Sequence, residues 1–202
     1  MRIAEIFRSI QGEGPNQGAS CTFVRLTGCN LRCSWCDSAY ALSGGTEMGE
    51  SEVAAAVRRL PGRYVCITGG EPLLQEEGLL RVLRLLSEAG YVIDIETNGT
   101  IDFREVQQYA SICMDVKCPS SGERSDLALI KYLQKRDSVK FVVSNEADCR
   151  YAEGIMRNYP FVAQSFFSPV YGSDYRMIAG FLLDNDLPAR LQLQLHKLIG
   201  VR

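Results

Sequence analysis

Three thiols fall within one short stretch, Gly28-Cys29-Asn30-Leu31-Arg32-Cys33-Ser34-Trp35-Cys36-Asp37. C-x3-C-x2-C spacing lets a loop wrap all three around one small object. Thiolate donors favour zinc or an iron–sulfur cluster. A closed structural zinc site takes four protein ligands. The only histidine is His196, near the chain end, and no second cysteine pair has zinc-finger spacing. Three ligands leave one metal position open, which suits catalysis better than scaffolding. A second chemical signal is Thr68-Gly69-Gly70-Glu71-Pro72. Gly-Gly and Glu-Pro are ordinary turn chemistry. Glycine also permits close backbone approach, and a carboxylate accepts a charge-assisted hydrogen bond from an ammonium.

The surroundings of these residues narrow the class. Eight cysteines without a recognisable export signal point to metal ligation or burial rather than disulfides. Cys66 and Cys113 lie in apolar, strand-like runs and are expected in the core. The net charge is −2 and no run of Lys and Arg stands out, so no nucleic-acid or membrane partner is expected. Residues 1–6 lack the apolar run of a signal peptide, and no stretch reaches membrane-spanning length. A soluble, cytoplasmic protein is expected. A length of 202 residues suits one domain, 1–202.

Short β-rich runs alternate with helical patterns along the chain. Strands are expected at 22–26, 64–68, 92–96, 112–116, 139–143, 162–167 and 191–195. Helices are expected at 51–60, 77–89, 103–109, 146–158 and 175–183, the first capped at Ser51 and the second stopped by Gly90. Repeated β–α units imply a largely parallel sheet with helices outside it. About six units are too few for a complete eight-stranded barrel of ~250 residues. An α/β partial barrel, open and reduced but TIM-like, is therefore expected. Functional groups gather at the C-terminal strand ends in such folds. The sequences Thr68-Gly69-Gly70-Glu71-Pro72, Glu96-Thr97-Asn98-Gly99 and Asp115-Val116-Lys117 fall there.

The cysteine loop followed by a GGEP-type turn resembles the radical S-adenosylmethionine superfamily. There, three cysteines hold a [4Fe–4S] cluster whose fourth iron binds S-adenosylmethionine. The chain further resembles the 7-carboxy-7-deazaguanine synthase family along nearly its whole length. The likeness is carried by SIQGEG (9–14), FVRLTGC (23–29), CSWCDS (33–38), TGGEP (68–72), ETNGT (96–100), DVKCPSSG (115–122) and LHKLIGVR (195–202). It implies a lyase of queuosine and 7-deazapurine biosynthesis. That enzyme contracts 6-carboxy-5,6,7,8-tetrahydropterin to 7-carboxy-7-deazaguanine with release of ammonia. Cleavage of S-adenosylmethionine generates a 5′-deoxyadenosyl radical, which removes the hydrogen at pterin C6 and later returns it.

The same resemblance implies residue roles. Cys29, Cys33 and Cys36 bind the cluster, and the hydroxyl of Ser38 binds Mg²⁺. Ile10, Gln11, Gly12, Glu13, Arg25, Thr68 and His196 contact the pterin. Arg25 grips its carboxylate, for which a bidentate guanidinium is better shaped than an ammonium. Trp35, Cys36, Asp37, Gly70, Glu71, Asp115, Val116 and Lys117 contact S-adenosylmethionine, with Glu71 accepting from the cofactor's amino group. Asp115-Val116-Lys117 departs from the family's Ser-Pro-Lys, and 166–172 departs from its Leu-Gln-Pro. The terminal carboxylate at Arg202 is a further candidate neighbour of the pocket. A homodimer and a flavodoxin-like electron donor are also implied. Two rivals remain at this level. One is a glycyl-radical activase using the same cluster on a protein loop, and the other is a non-catalytic zinc-binding module.

Overall fold

The computed structural model describes residues 1–201. Nine strands form one sheet: β1 Arg2–Ile10, β2 Ser20–Leu26, β3 Thr46–Glu47, β4 Tyr64–Gly69, β5 Val92–Thr97, β6 Ser111–Lys117, β7 Ser138–Val143, β8 Gln164–Pro169 and β9 Arg190–Leu191. Their order is β3-β1-β2-β4-β5-β6-β7-β8-β9. Every pair from β2 to β9 is parallel, while β1 runs antiparallel to both β2 and β3. The sheet does not close on itself, so the architecture is a partial α/β barrel with two edges. The helices are α1 Glu50–Arg58, α2 Glu76–Glu88, α3 Glu146–Asn158, α4 Tyr175–Asp184 and α5 Leu195–Ile199.

Strand alternation sorts the side chains into two chemistries. Val65, Ile67, Ile93, Ile95, Ile112, Met114, Val139 and Phe141 point outward under the helices and join one buried core with Leu79, Leu83 and Leu86 of α2. Their intervening neighbours Cys66, Thr68, Asp94, Glu96, Cys113, Asp115, Lys117 and Lys140 point inward. A strand buried on both faces normally reads as continuously apolar. Charged and polar groups among these alternate positions therefore mark an interior built for polar work. Cys66 and Cys113 are buried as expected, and Cys66 packs with Cys21 and Phe23 on the inner face. Burial raises both thiols above their ordinary values, which keeps them protonated and unreactive.

Several local expectations are corrected. β1 is absent from the strands read off the sequence because Glu5 and Arg8 interrupt its apolar pattern. Glu5 faces inward and pairs with Arg25 across the hairpin, which accounts for the interruption. The expected helix at 103–109 contracts to a single 3-10 turn, Val106–Gln108. The expected strand at 191–195 keeps one bridge pair, then turns into α5. Gly49, not Ser51, caps α1: the Glu52 carboxylate accepts from the Gly49 N–H at 2.6 Å. Gly90, at φ 77°, follows α2 as expected. No helix among the described residues is long and apolar enough to cross a membrane.

Candidate active site

A cavity of about 510 Å³ occupies the inner face of the sheet. That is room for ligands of cofactor size. Loops at the C-terminal strand ends bound it above. The turn between β1 and β2 reaches in from the opposite end, because β1 runs the other way.

The upper wall carries the three thiols. Cys29, Cys33 and Cys36 all border the cavity. Burial raises the Cys33 thiol, Lys117 opposes this, and Cys36 and Cys29 add to it, as expected of thiols crowded together. Among the described residues, no three His, Cys, Asp or Glu side chains gather as a single ion requires. Three thiols bordering one cavity with a charged lysine nearby fit an anionic iron–sulfur cluster. The Asn98 amide donates to Cys29 Sγ at 3.7 Å, and Lys117 Nζ lies 5.6 Å from the Trp35 ring centre. The indole N–H donates to Ser120 Oγ at 3.0 Å, which fixes the ring's orientation.

The glycine turn after β4 has a structural task as well. Gly70 N–H donates to the Leu26 carbonyl, and Glu71 N–H donates to that of Gly28. A Cβ on Gly70 would sit 1.9 Å from the Gly28 oxygen, so only glycine lets the two loops touch. We expect Gly70→Ala to separate them, costing about 1–3 kcal/mol of stability. Thermal unfolding with parallel iron analysis would read both effects. An unchanged melting temperature and full iron content would contradict this account.

Arg25 lies on the side wall. Its Nε donates to Glu5 Oε1 at 3.0 Å and its Nη1 to Ser38 Oγ at 3.2 Å, with the Phe7 and Tyr40 rings each 5.8 Å away. Ser38 also donates to Asp37, whose other oxygen pairs with Lys197 Nζ at 3.2 Å. Burial raises the Asp37 carboxyl, but Lys197 and the Ser38 hydroxyl outweigh it and hold it low.

The floor is a buried charge network. Lys140 pairs with Glu13 and, at 3.0 Å, with Asp115, which also pairs with Lys117 at 3.1 Å. Burial opposes the Lys140 charge, yet Asp115, Glu13 and Glu96 raise it well above the ordinary lysine value. Burial likewise opposes the Asp115 charge, but Lys117 and Lys140 hold that carboxyl low. Glu96 accepts from Thr68 Oγ1 at 3.0 Å and lies 3.5 Å from the Gln11 amide. Burial raises Glu96 despite the nearby Lys140. His196 packs on Gly12, where a Cβ would meet its Nδ1 at 1.9 Å. Burial lowers the imidazole below its ordinary value, against the pull of Glu13 and Asp37.

Most expected site residues therefore border one cavity: Ile10, Gln11, Gly12, Glu13, Arg25, Trp35, Asp37, Ser38, Thr68, Gly70, Asp115, Lys117 and His196, with the three cysteines. Two do not. Glu71 is fully buried behind the wall, accepting from Leu73 N–H, Thr97 Oγ1 and Asn98 N–H at 2.7–3.0 Å. Its carboxylate shapes the turn through these three bonds. Val116 points outward into the helix-covered core. From the stretch 166–172, Val170 and Tyr171 reach the cavity. Arg202 and its carboxylate lie outside the described residues. Glu96, Asn98, Lys140, Gln194 and Lys197 line the cavity although the sequence reading assigned them no role. The charges of Glu96 and Lys140 in apolar strands were the available signal.

Comparison with known proteins agrees with this geometry. The model of the Radical SAM superfamily matches residues 23–116. Over 201 residues the chain is 52% identical to the 7-carboxy-7-deazaguanine synthase of Methanospirillum hungatei, covering all of this chain and 86% of the relative. It is 42% identical to that of Koribacter versatilis, covering 98% of this chain and 96% of the relative. The crystal structure of QueE from Escherichia coli shares the fold at TM-score 0.76 and 24% identity, covering 96% and 94% of the two chains. The chain belongs to the 7-carboxy-7-deazaguanine synthase family of the radical S-adenosylmethionine superfamily.

Proposed function

We propose that this cavity contracts the ring of 6-carboxy-5,6,7,8-tetrahydropterin to 7-carboxy-7-deazaguanine, releasing ammonia. The observation that carries this reading is that one cavity is bounded by the three thiols and by Arg25. When bound, a [4Fe–4S] cluster and S-adenosylmethionine supply the carbon-centred radical that removes the hydrogen from C6. Everything else falls to the protein's own side chains.

Cys29, Cys33 and Cys36 hold the cluster, while Trp35, Asp37, Gly70, Asp115 and Lys117 surround the cofactor. Arg25 takes the pterin carboxylate, its guanidinium already oriented by Glu5 and Ser38. Such preorganisation reduces the ordering cost of binding. Gln11 and Glu13 face the amide and amine edge of the ring, with Glu13 steadied by Gln194 at 2.8 Å and by Lys140. Thr68 and His196 close the remaining sides. Burial of these groups excludes water from a reactive radical.

The Ser38 hydroxyl contributes one oxygen to Mg²⁺, and the pterin and waters supply the rest of about six. A homodimer covers the open edges of the sheet, and a flavodoxin-like protein in the cytoplasm delivers the electron. The test is isotopic. Deuterium placed at C6 of the pterin is expected in 5′-deoxyadenosine and recovered S-adenosylmethionine. Label that stays wholly in the pterin would refute the assignment.

A further inference from the structure

A second cavity of about 120 Å³ lies where β5, β6 and β7 begin, at the opposite end of the sheet from the thiols. It shares Gln11, Glu13 and Glu96 with the main cavity, so these side chains form the partition between the two. Its own walls include Asp94, Ser111, Cys113 and Ser138.

Acceptors dominate this space. Asp94 is held by neutral donors: the Tyr64 hydroxyl, the Asn16 amide at 2.8 Å and the Ser111 hydroxyl at 2.5 Å. Lys140 pairs with Glu13 and Asp115 instead. Arg136, at the rim, donates to the Gln107 carbonyl. Ser138 is 1% exposed, and its hydroxyl has no oxygen or nitrogen partner, only the Cys113 thiol beside it. A thiol is a weak partner for a buried hydroxyl. Asp94, held by neutral donors alone, and the weakly partnered Ser138 hydroxyl face one small space that suits a small cation donating hydrogen bonds in several directions, seated away from Arg136.

The ring contraction discards one nitrogen as ammonia, which takes a proton from water at neutral pH. We propose that the lower cavity is an ammonium site, through which the released nitrogen leaves beneath the pterin. This rests on the ring-contraction reading. Water occupies about 30 Å³ in the liquid, so the cavity has room for an ammonium ion and accompanying waters. Glu96 in the partition and Asp94 beneath it offer the cation successive carboxylates away from the cluster.

Rubidium, close to ammonium in size and visible by anomalous scattering, is the probe. Crystals of the cluster-loaded enzyme soaked in rubidium chloride are expected to show a site between Asp94, Glu96 and Ser138. Ammonium chloride should displace it. No site there, or one that ammonium leaves unchanged, would overturn the proposal. Ser138→Leu, which fills the cavity, should abolish the site and lower kcat about tenfold without changing KM for the pterin, as expected when product release is slowed. An unchanged kcat would contradict the exit route. Should that variant fail to fold, Asp94→Asn keeps the shape and removes the charge, and retained rubidium affinity would be equally damaging. The soak needs no turnover. Wild-type enzyme that binds rubidium but makes no deazapurine would refute the catalytic reading and leave the cation site standing.

Discussion

Replacing Arg25 by alanine is expected to abolish ring contraction while leaving the iron content unchanged. The guanidinium stands on β2, paired with Glu5 and Ser38 and flanked by Phe7 and Tyr40. Losing one partner of a buried charge pair costs about 2–5 kcal/mol, and each 1.36 kcal/mol of barrier is about tenfold in rate. A fall of roughly two to three orders of magnitude in kcat/KM follows. Cleavage of S-adenosylmethionine should persist, uncoupled from product, because the thiols do not contact Arg25. Arg25→Lys should recover little, since an ammonium cannot reproduce the bidentate fork. Loss of the cluster in Arg25→Ala would instead assign the arginine a structural role.

The second large effect is on stability. Lys140→Met removes the cation between Glu13 and Asp115 and leaves carboxylates buried without it. Breaking such a pair costs about 3–5 kcal/mol. For a chain of this size, each kcal/mol lowers Tm by about 2–4 °C, so a drop of about 10 °C is expected. The pH dependence has a definite sign. Asp115 is held low in the fold, so it contributes stability above the ordinary aspartate value of about 3.9 and loses it in acid. Lys140 is raised, so its contribution is complete below about 10.4 and fades only in stronger alkali. The difference between wild type and variant should be full at neutral pH and shrink as Asp115 protonates. Thermal unfolding from pH 7 down to pH 3 checks it, and a gap that widens in acid would contradict the network.

Much of this is legible in the sequence, and the gaps have physical causes. The cysteine loop and the glycine turn announce themselves by spacing, because both are short-range geometry. The parallel strands were read within two residues of their bounds at 22–26, 64–68, 92–96, 112–116 and 139–143, since apolar residues recur on the outward face of each. β1 escaped because Glu5 and Arg8 break its apolar pattern, and Glu5's partner Arg25 lies fifteen residues beyond its end. The motif around Glu71 does not reveal which way the carboxylate points. In the fold it lies behind the cavity wall and braces Thr97 and Asn98. Lys140 had a visible signal, a lone charge in Ser138–Val143, but its partners Glu13 and Asp115 are distant in sequence. Long-range pairing is what a single sequence conceals.

The central claim is that the cavity uniting three thiols with Arg25 turns a carboxylated pterin into a deazapurine. The most direct measurement incubates anaerobically reconstituted, reduced enzyme with 6-carboxy-5,6,7,8-tetrahydropterin and S-adenosylmethionine, then quantifies purine product and ammonia together. The account predicts 7-carboxy-7-deazaguanine and ammonia in equal amounts, with many turnovers per S-adenosylmethionine consumed. Formation of 5′-deoxyadenosine and methionine with neither product would contradict it.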